Sequence, residues 1–343
     1  MRSTVRNVAI AVVAIALIAL FLRNADLPTV WQEIRRAELR LLAAAIASIF
    51  VNMVVRSIRW QYLLEPIGTT SFGNAFRTTM IGFAATFVLP ARAGELLRPY
   101  LLARREGFSA TATFATIVLE RVLDLLAVVL FLAIFMAFFD PGPPSEAGAV
   151  YRAVRAGGLL GAITGVGLLV AMFALAGRPD AVSQAALRLE RVVPTRVAHV
   201  IARLAGLFAQ GLGVARDPTR LAVALAWSLP LWISIAFGIW TTSRAFHIEL
   251  PFAGSFLIIA LLVVGVSVPT PGGVGGFHEA YRLGATAFYG VPNDRAVGAA
   301  IVLHAISFVP ITIVGLFYFV NEGFSLRSMS RLASTAAVED KIG

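Results

Sequence analysis

Apolar residues in this chain come in long uninterrupted runs, over roughly residues 8–22, 39–57, 110–139, 153–176, 220–243 and 296–320. A helix needs about 20 mostly apolar residues to cross a hydrocarbon core ~30 Å thick, so each run predicts a membrane-spanning helix. Two further apolar segments, 72–90 and 252–268, do not run on. Each meets a Pro/Gly cluster followed by charge: LPARAGELLR over 89–98 and PTPGGVGGFHEAYR over 269–282. The apolar sequence around each break is too short for two complete crossings. Each segment therefore predicts a helical hairpin that enters the membrane, turns and leaves by the side it came from. The fold class expected is an all-α integral membrane protein, one polytopic domain over 1–343, with six full spans and two re-entrant helical hairpins.

Charge fixes the orientation that this pattern implies. With both hairpins re-entrant, the N-terminal Arg2 and Arg6, the stretch with Arg56, Arg59 and Arg77, Arg104 and Arg105, and the Arg-rich amphipathic segment 178–219 share one side. The loop DPGPPSEAGAV over 140–150 carries no basic residue and falls on the other. Positively charged loops are retained in the cytoplasm, so both termini, with the short tail 322–343, are expected there. Residues 23–40 are the exception: they place Arg23, Arg35, Arg36 and Arg40 outside beside Asp26, Glu33 and Glu38, as an amphipathic surface helix. The same topology makes 39–139 and 220–320 a candidate inverted repeat, each a span, a hairpin and a span, an arrangement typical of transporters with broken helices near the midplane.

The composition agrees: 58% hydrophobic, 14% charged and a mean hydropathy of +0.82. A net charge of +10 would admit nucleic acid as a partner, but the arginines sit between apolar runs, where membrane topology accounts for them. Cysteine is absent, which excludes disulfides and thiolate metal sites. No metal or cofactor is expected. Val8 to Leu22 reads as a retained first span, since no convincing small-residue cleavage site follows it.

The charged residues inside the apolar segments are the candidates for chemistry. Backbone that is neither helix nor closed barrel survives at membrane depth only where protein or water satisfies it. Pro271, Gly272, Gly273, Gly275 and Gly276 are thus expected to line a polar interior, with His278, Glu279 and Arg282 beside them. The run is no dinucleotide fingerprint, since histidine ends it, and no zinc-protease helix, since Arg282 stands where a second histidine is needed. In the first hairpin, Arg92, Glu95 and Arg98 are spaced three apart and form one charged stripe if helical. Glu120, Arg121 and Asp124 lie about ten residues into a long span. Each costs ~2.5 to 3.5 kcal/mol at the bilayer centre unless paired or hydrated. They read either as a buried ion network, with Arg121 and Asp124 paired, or as a polar site or proton path. Weaker signals are a close-packing face of Gly157, Gly161 and Gly165, and His304, which reads as a core histidine bonded to a neighbouring carbonyl. Arg56, Arg59 and Trp60 read as an interfacial anchor that meets lipid phosphate.

Four ordered motifs carry a family resemblance: RSIRWQYLL at 56–64, LPARAGELLRPYLL at 89–102, ATIVLERVLD at 115–124 and PTPGGVGGFHE at 269–279. Together they resemble the flippase-like family of membrane proteins, also called the lysylphosphatidylglycerol synthase transmembrane region, over roughly residues 8–322. The resemblance implies a bacterial inner-membrane protein that moves or presents an anionic or polyprenyl-linked lipid. It places the family's charged motif residues on Arg92, Glu95, Arg98, Glu120, Arg121, Asp124 and Glu279. A flippase would receive the head group on Arg92, Arg98 and Arg121, with the acidic residues balancing charge or carrying protons. No catalytic motif is found, so an enzyme is not expected. An integral-membrane enzyme acting on a lipid phosphate, and a scaffold for a lipid-modifying partner, remain the alternatives. A homo-oligomer is a further possible assembly.

Overall fold

The computed structural model describes residues 12–13, 15–89, 94–138, 148–191, 194–268 and 270–322, and among them the regular structure is helical throughout. Helix α1 covers 15–22, followed by α2 (Leu27–Arg36), α3 (Leu39–Leu64), α4 (Phe72–Val88), α5 (Gly94–Glu106), α6 (Ala110–Phe138) and α7 (Gly148–Gly177). Then come α8 (Pro179–Leu187), α9 (Thr195–Gly211), α10 (Pro218–Ala245), α11 (Gly254–Ser267), α12 (Gly276–Tyr289) and α13 (Asn293–Asn321). Five helices are long and apolar enough to cross a membrane: Leu39–Leu64, Ala110–Phe138, Val150–Gly177, Pro218–Ala245 and Asn293–Asn321. The start of the first expected span, Pro90 to Ala93 with Arg92, Pro269, and the tail after Glu322 lie outside the described residues.

The remaining apolar helices are short. At 1.5 Å per residue α4 and α5 reach only about 25 and 20 Å, and α11 and α12 about 21 Å each. They form two helical hairpins. In the first, the base is closed where Asn74 Nδ2 donates to Glu106 Oε1 at 2.8 Å and the Thr70 hydroxyl bonds the same carboxylate. Higher up, Gly82 and Gly94 pack so closely that a Cβ on Gly94 would strike the Gly82 carbonyl and Thr86. The second hairpin repeats the device. Gly254 packs on Tyr289 at its base, and Gly265 and Gly276 meet backbone to backbone above.

The order long, short, short, long thus occurs twice, as α3–α6 and as α10–α13. The two units interlock: α3 runs against α10, α4 against α13 and α11 against α6. Their hairpin bases sit at opposite ends of the bundle. The α4–α5 base neighbours the end where Arg220, early in α10, faces Glu65 after α3. The α11–α12 base neighbours the other end, where the Glu38 N–H donates to Ala245 O and Asn293 Nδ2 to Asn24 O.

Three peripheral pieces complete the fold. Helix α2 forms within 23–40 as a short amphipathic helix, capped by Asp26 and tied to the start of α13 by Arg295–Glu33 at 3.1 Å. Helix α7 packs on α6 through Gly158, Gly161 and Gly165, which receive Leu132, Val129 and Leu126. Gly157, expected in that face, points into open space; a helix turns 100° per residue, so its neighbour Gly158 takes the place. Within 178–219, α8 and α9 pair, and α9 lays Ala198, Ala202 and Ala209 inward.

Candidate functional site: a buried ion cluster at the end of an apolar cavity

Helix α6 brings Glu120 and Asp124 to one face, one turn apart, as i and i+4 positions must be. Both are buried. Four guanidinium groups surround them. Arg56 Nη1 lies 3.0 Å from Glu120 Oε1 and 3.4 Å from Asp124 Oδ2. Arg59 Nη1 donates to Asp124 Oδ1 at 2.8 Å and to Ser228 Oγ at 2.7 Å. Arg98 Nη1 reaches both Glu120 oxygens, at 3.0 and 3.3 Å, and Arg121 Nη2 donates to Glu120 Oε1 at 2.9 Å. Asp124 Oδ1 also accepts from Trp232 Nε1 at 3.2 Å. The expected Arg121–Asp124 pair is present at 3.7 Å, as one edge of this larger network.

Arg56, Arg59 and Trp60 are not an interfacial anchor. Helix α3 continues to Leu64, seven residues past the expected end of the span, and Ser48, Asn52, Arg56 and Arg59 recur every three or four positions on one face. That face looks at α6 and α10, so Arg59 and Trp60 have no exposed surface and Arg56 almost none. The Arg98 guanidinium stacks over the Trp60 indole at 3.9 Å, and Trp60 Nε1 donates to Thr116 Oγ1 at 3.0 Å. A buried cation of this kind is supported by a π face as well as by carboxylate.

The cluster carries more positive than negative charge. Four arginines contact two carboxylates, and Glu95 in the first turn of α5 adds a third attraction on Arg121. Among the described residues one positive charge is left over. Among the described residues, several guanidinium nitrogens find no hydrogen-bond partner: Nε of Arg56, and Nε and Nη2 of both Arg59 and Arg98. Buried donors without a partner are costly.

A cavity of about 440 Å³ opens beside the cluster. Its polar end is Arg56, Arg121, Asp124 and Trp232; Asn52 and Ser234 follow, bonded to each other at 3.1 Å. Beyond them the wall is apolar: Ile259, Leu262 and Val263 of α11, Leu303 and Ile306 of α13, and Phe83 and Phe87 of α4. Both four-helix units therefore build it. The Arg121 side chain, which lines this cavity, is 43% exposed although it sits well inside a spanning helix. Asn52, Ser228, Trp232 and Ser234 escaped sequence reasoning. Their signal was available: each is a polar or amphipathic residue in an otherwise apolar span, and Asn52 stands one turn before Arg56.

The second hairpin contributes differently from the first. Its tip is a tight turn, Pro271–Gly273, with left-handed φ of 60° at Gly272, 68° at Gly273 and 87° at Gly275, a region that favours glycine. Gly276 starts α12, held close to Gly265. Phe277 lines the cavity, but His278 stands behind that wall, its ring 4.5 Å from the ring of His304. His304 Nε2 donates to the Gly272 carbonyl at 2.9 Å, the neighbouring carbonyl its sequence position suggested. Glu279 and Arg282 do not join the ion cluster. They pair with each other at 2.7 Å, and Arg282 Nη1 reaches Asn293 at 3.1 Å, toward the base of the hairpin. Both are half-buried, and their contacts run along α12 and to the start of α13.

A family profile described as the lysylphosphatidylglycerol synthase TM region matches residues 7–315. Glycosyltransferase AglD of Haloferax volcanii is 30% identical over 125 residues, 36% of this chain and 20% of that protein. UPF0104 membrane protein MJ1595 of Methanocaldococcus jannaschii is 31% identical over 99 residues, 28% of this chain and 29% of that protein. The matched stretch thus spans less than a third of either relative.

Proposed function

Because this chain belongs to the lysylphosphatidylglycerol synthase TM region family and is a multi-pass membrane protein, we propose that it moves an anionic lipid between leaflets through the cavity beside the ion cluster. The observation that carries this reading is the cavity's polarity: an excess-cationic end on Arg56 and Arg121, and an apolar length along α11 and α13. That is the complement of an amphiphile with a negatively charged head. Guanidinium groups suit phosphate oxygens because their planar fork donates two hydrogen bonds at once. The apolar wall takes the chain.

The finer topology belongs to the same proposal. Each hairpin is too short to cross twice, their bases lie at opposite ends of the bundle, and the unit order repeats. These features support two re-entrant hairpins, entering from opposite faces and related as an inverted repeat, a design suited to alternating access. The end with Glu65, Arg105 and Arg220 would face the cytoplasm, with both termini, in a bacterial inner membrane. The glycosyltransferase named among the relatives matches over only a fifth of its length, and we propose no transfer chemistry for this chain.

Reconstitution into proteoliposomes with a fluorescent anionic lipid tests the reading. Protein-dependent exposure of the lipid to an impermeant quencher is expected, with at least a roughly tenfold loss, about 1.4 kcal/mol, in Ser307→Trp, which fills the cavity without touching the ion cluster. Glu120→Gln should lose translocation as well. A modified lipid released by the purified protein would establish an enzyme instead. Translocation equal to that of protein-free vesicles would leave a scaffold.

A further inference from the structure

A lipid carrier that works against a gradient needs a coupling group, and the ion cluster is ill suited to be one. Three guanidinium groups lie within 3.0 Å of Glu120, and Asp124 holds Arg59 at 2.8 Å. A proton arriving on either carboxylate would leave buried arginines unpaired. The enclosed imidazoles, one buried and one half-buried, are elsewhere. His199 and His247 are exposed, whereas His278 and His304 stack on each other inside the bundle.

We propose that the His278–His304 pair is a proton-binding site that controls the tip of the α11–α12 hairpin and, through it, the wall of the cavity. The proposal rests on the lipid-moving reading for its purpose, but not for its geometry. The Gly275 N–H donates to His278 Nδ1 at 3.3 Å, so that nitrogen offers a lone pair and Nε2 carries the hydrogen. His304 likewise carries its hydrogen on Nε2, which donates to Gly272 O. Both histidines are therefore tied to the turn, one to each side of it, in the neutral state.

The rings around the pair are apolar. Phe21 of α1 faces His278 at 5.1 Å, and Phe277 of α12 and Phe308 of α13 face His304 at 5.2 and 4.3 Å. Phe87 of α4 packs behind Phe308 at 4.3 Å. Among the described residues the titratable group facing each histidine is the other one; Glu279, next in sequence, is engaged by Arg282. A proton taken from water onto His278 Nδ1 turns an acceptor into a donor. The Gly275 N–H then loses its partner, and a cation stands 4.5 Å from a second imidazole with no carboxylate to balance it. Releasing the turn relieves both. The glycines at 272, 273 and 275 permit that rearrangement, and Phe277 and Phe308 transmit it, since they touch the histidines on one side and line the cavity on the other.

The chain has no cysteine, so two can be introduced for spin labels, at Thr69 in the α3–α4 connection and Thr270 at the tip. In nanodiscs the distance between labels on the otherwise unchanged protein should shift on the order of 5 Å, about one helical turn, between about pH 8 and about pH 3.5, a window that runs well below the ordinary imidazole pKa of about 6.5. His278→Asn places an amide oxygen where Nδ1 stands and keeps the Gly275 bond without a titrating group; its distance should stay at the high-pH value. Identical distributions at both pH values in the unchanged protein, or a full shift in His278→Asn, would overturn the proposal. A second readout needs no variant at position 278: nitrogen NMR of histidine-labelled protein should show Nδ1 of His278 gaining a proton over the same range, and a nitrogen that stays bare would refute the idea. Neither readout requires lipid movement. A pH-responsive tip without translocation would sink only the transport reading, and translocation with a fixed tip would sink only this one.

Discussion

The two four-helix units share an order of elements and the same glycine contact between short helices, yet they tie hairpin to long helix by opposite means. In α3–α6 the tie is charge: Arg98 of α5 on Glu120 of α6, with Arg56, Arg59 and Arg121 completing the cluster. In α10–α13 the tip is tied by one neutral hydrogen bond from His304 to the Gly272 carbonyl and by ring contacts, while Arg282 to Asn293 and Tyr281 to Ser243 hold the rest of α12. A buried ion pair is expensive to break, because each lost partner leaves an uncompensated charge. A neutral hydrogen bond between membrane helices is worth only about 0.6 kcal/mol on average. The first unit is thus built to stay put and hold charge toward the cavity, while the tip of the second is built to shift at small cost.

Substitutions can break this contrast in order of severity. Glu120→Leu removes the shared partner of Arg56, Arg98 and Arg121 and should cost about 3–5 kcal/mol, read as a collapse of thermal stability in detergent. An unchanged melting temperature would mean that charge does not fix the first unit. Gly94→Ala and Gly276→Ala press a methyl onto the facing helix backbone in the first and second hairpins and should each cost about 1–3 kcal/mol; equal costs would show that the glycine device is common to both units. His304→Ala should cost about 1 kcal/mol while loosening a spin label at Thr270, and His304→Gln, which keeps a donor nitrogen, should restore the label's restraint. At the small end, Glu322→Gln removes a partly exposed pair with Arg105 and should change stability by no more than about 1 kcal/mol.

Much of the fold was legible because membrane helices advertise themselves by length. The five long helices fall where apolar runs predict them, and the Pro/Gly breaks fall between α4 and α5 and between α11 and α12. The site was legible only by halves. Glu120, Arg121 and Asp124 stood out as charges in an apolar run, and Arg98 as part of a stripe. Arg56 and Arg59 read as interfacial only while the span ends at Ser57; helix α3 runs on to Leu64 and keeps both on its inward face. Glu279 and Arg282 look like site residues in sequence, but pairing with each other satisfies them locally. What joins Asn52, Ser228 and Trp232 to the cluster is the packing of α3, α6 and α10, and contacts over more than a hundred positions leave no local pattern to read.

The most direct test of the account is where a lipid head group rests. In an electron-microscopy structure of the protein in nanodiscs rich in anionic lipid, phosphate density should lie within hydrogen-bond distance of Arg56 and Arg121, with its chain along Ile259 and Leu262. A cavity closed by its own side chains, or lipid ordered only on the outer face of α7, would contradict it.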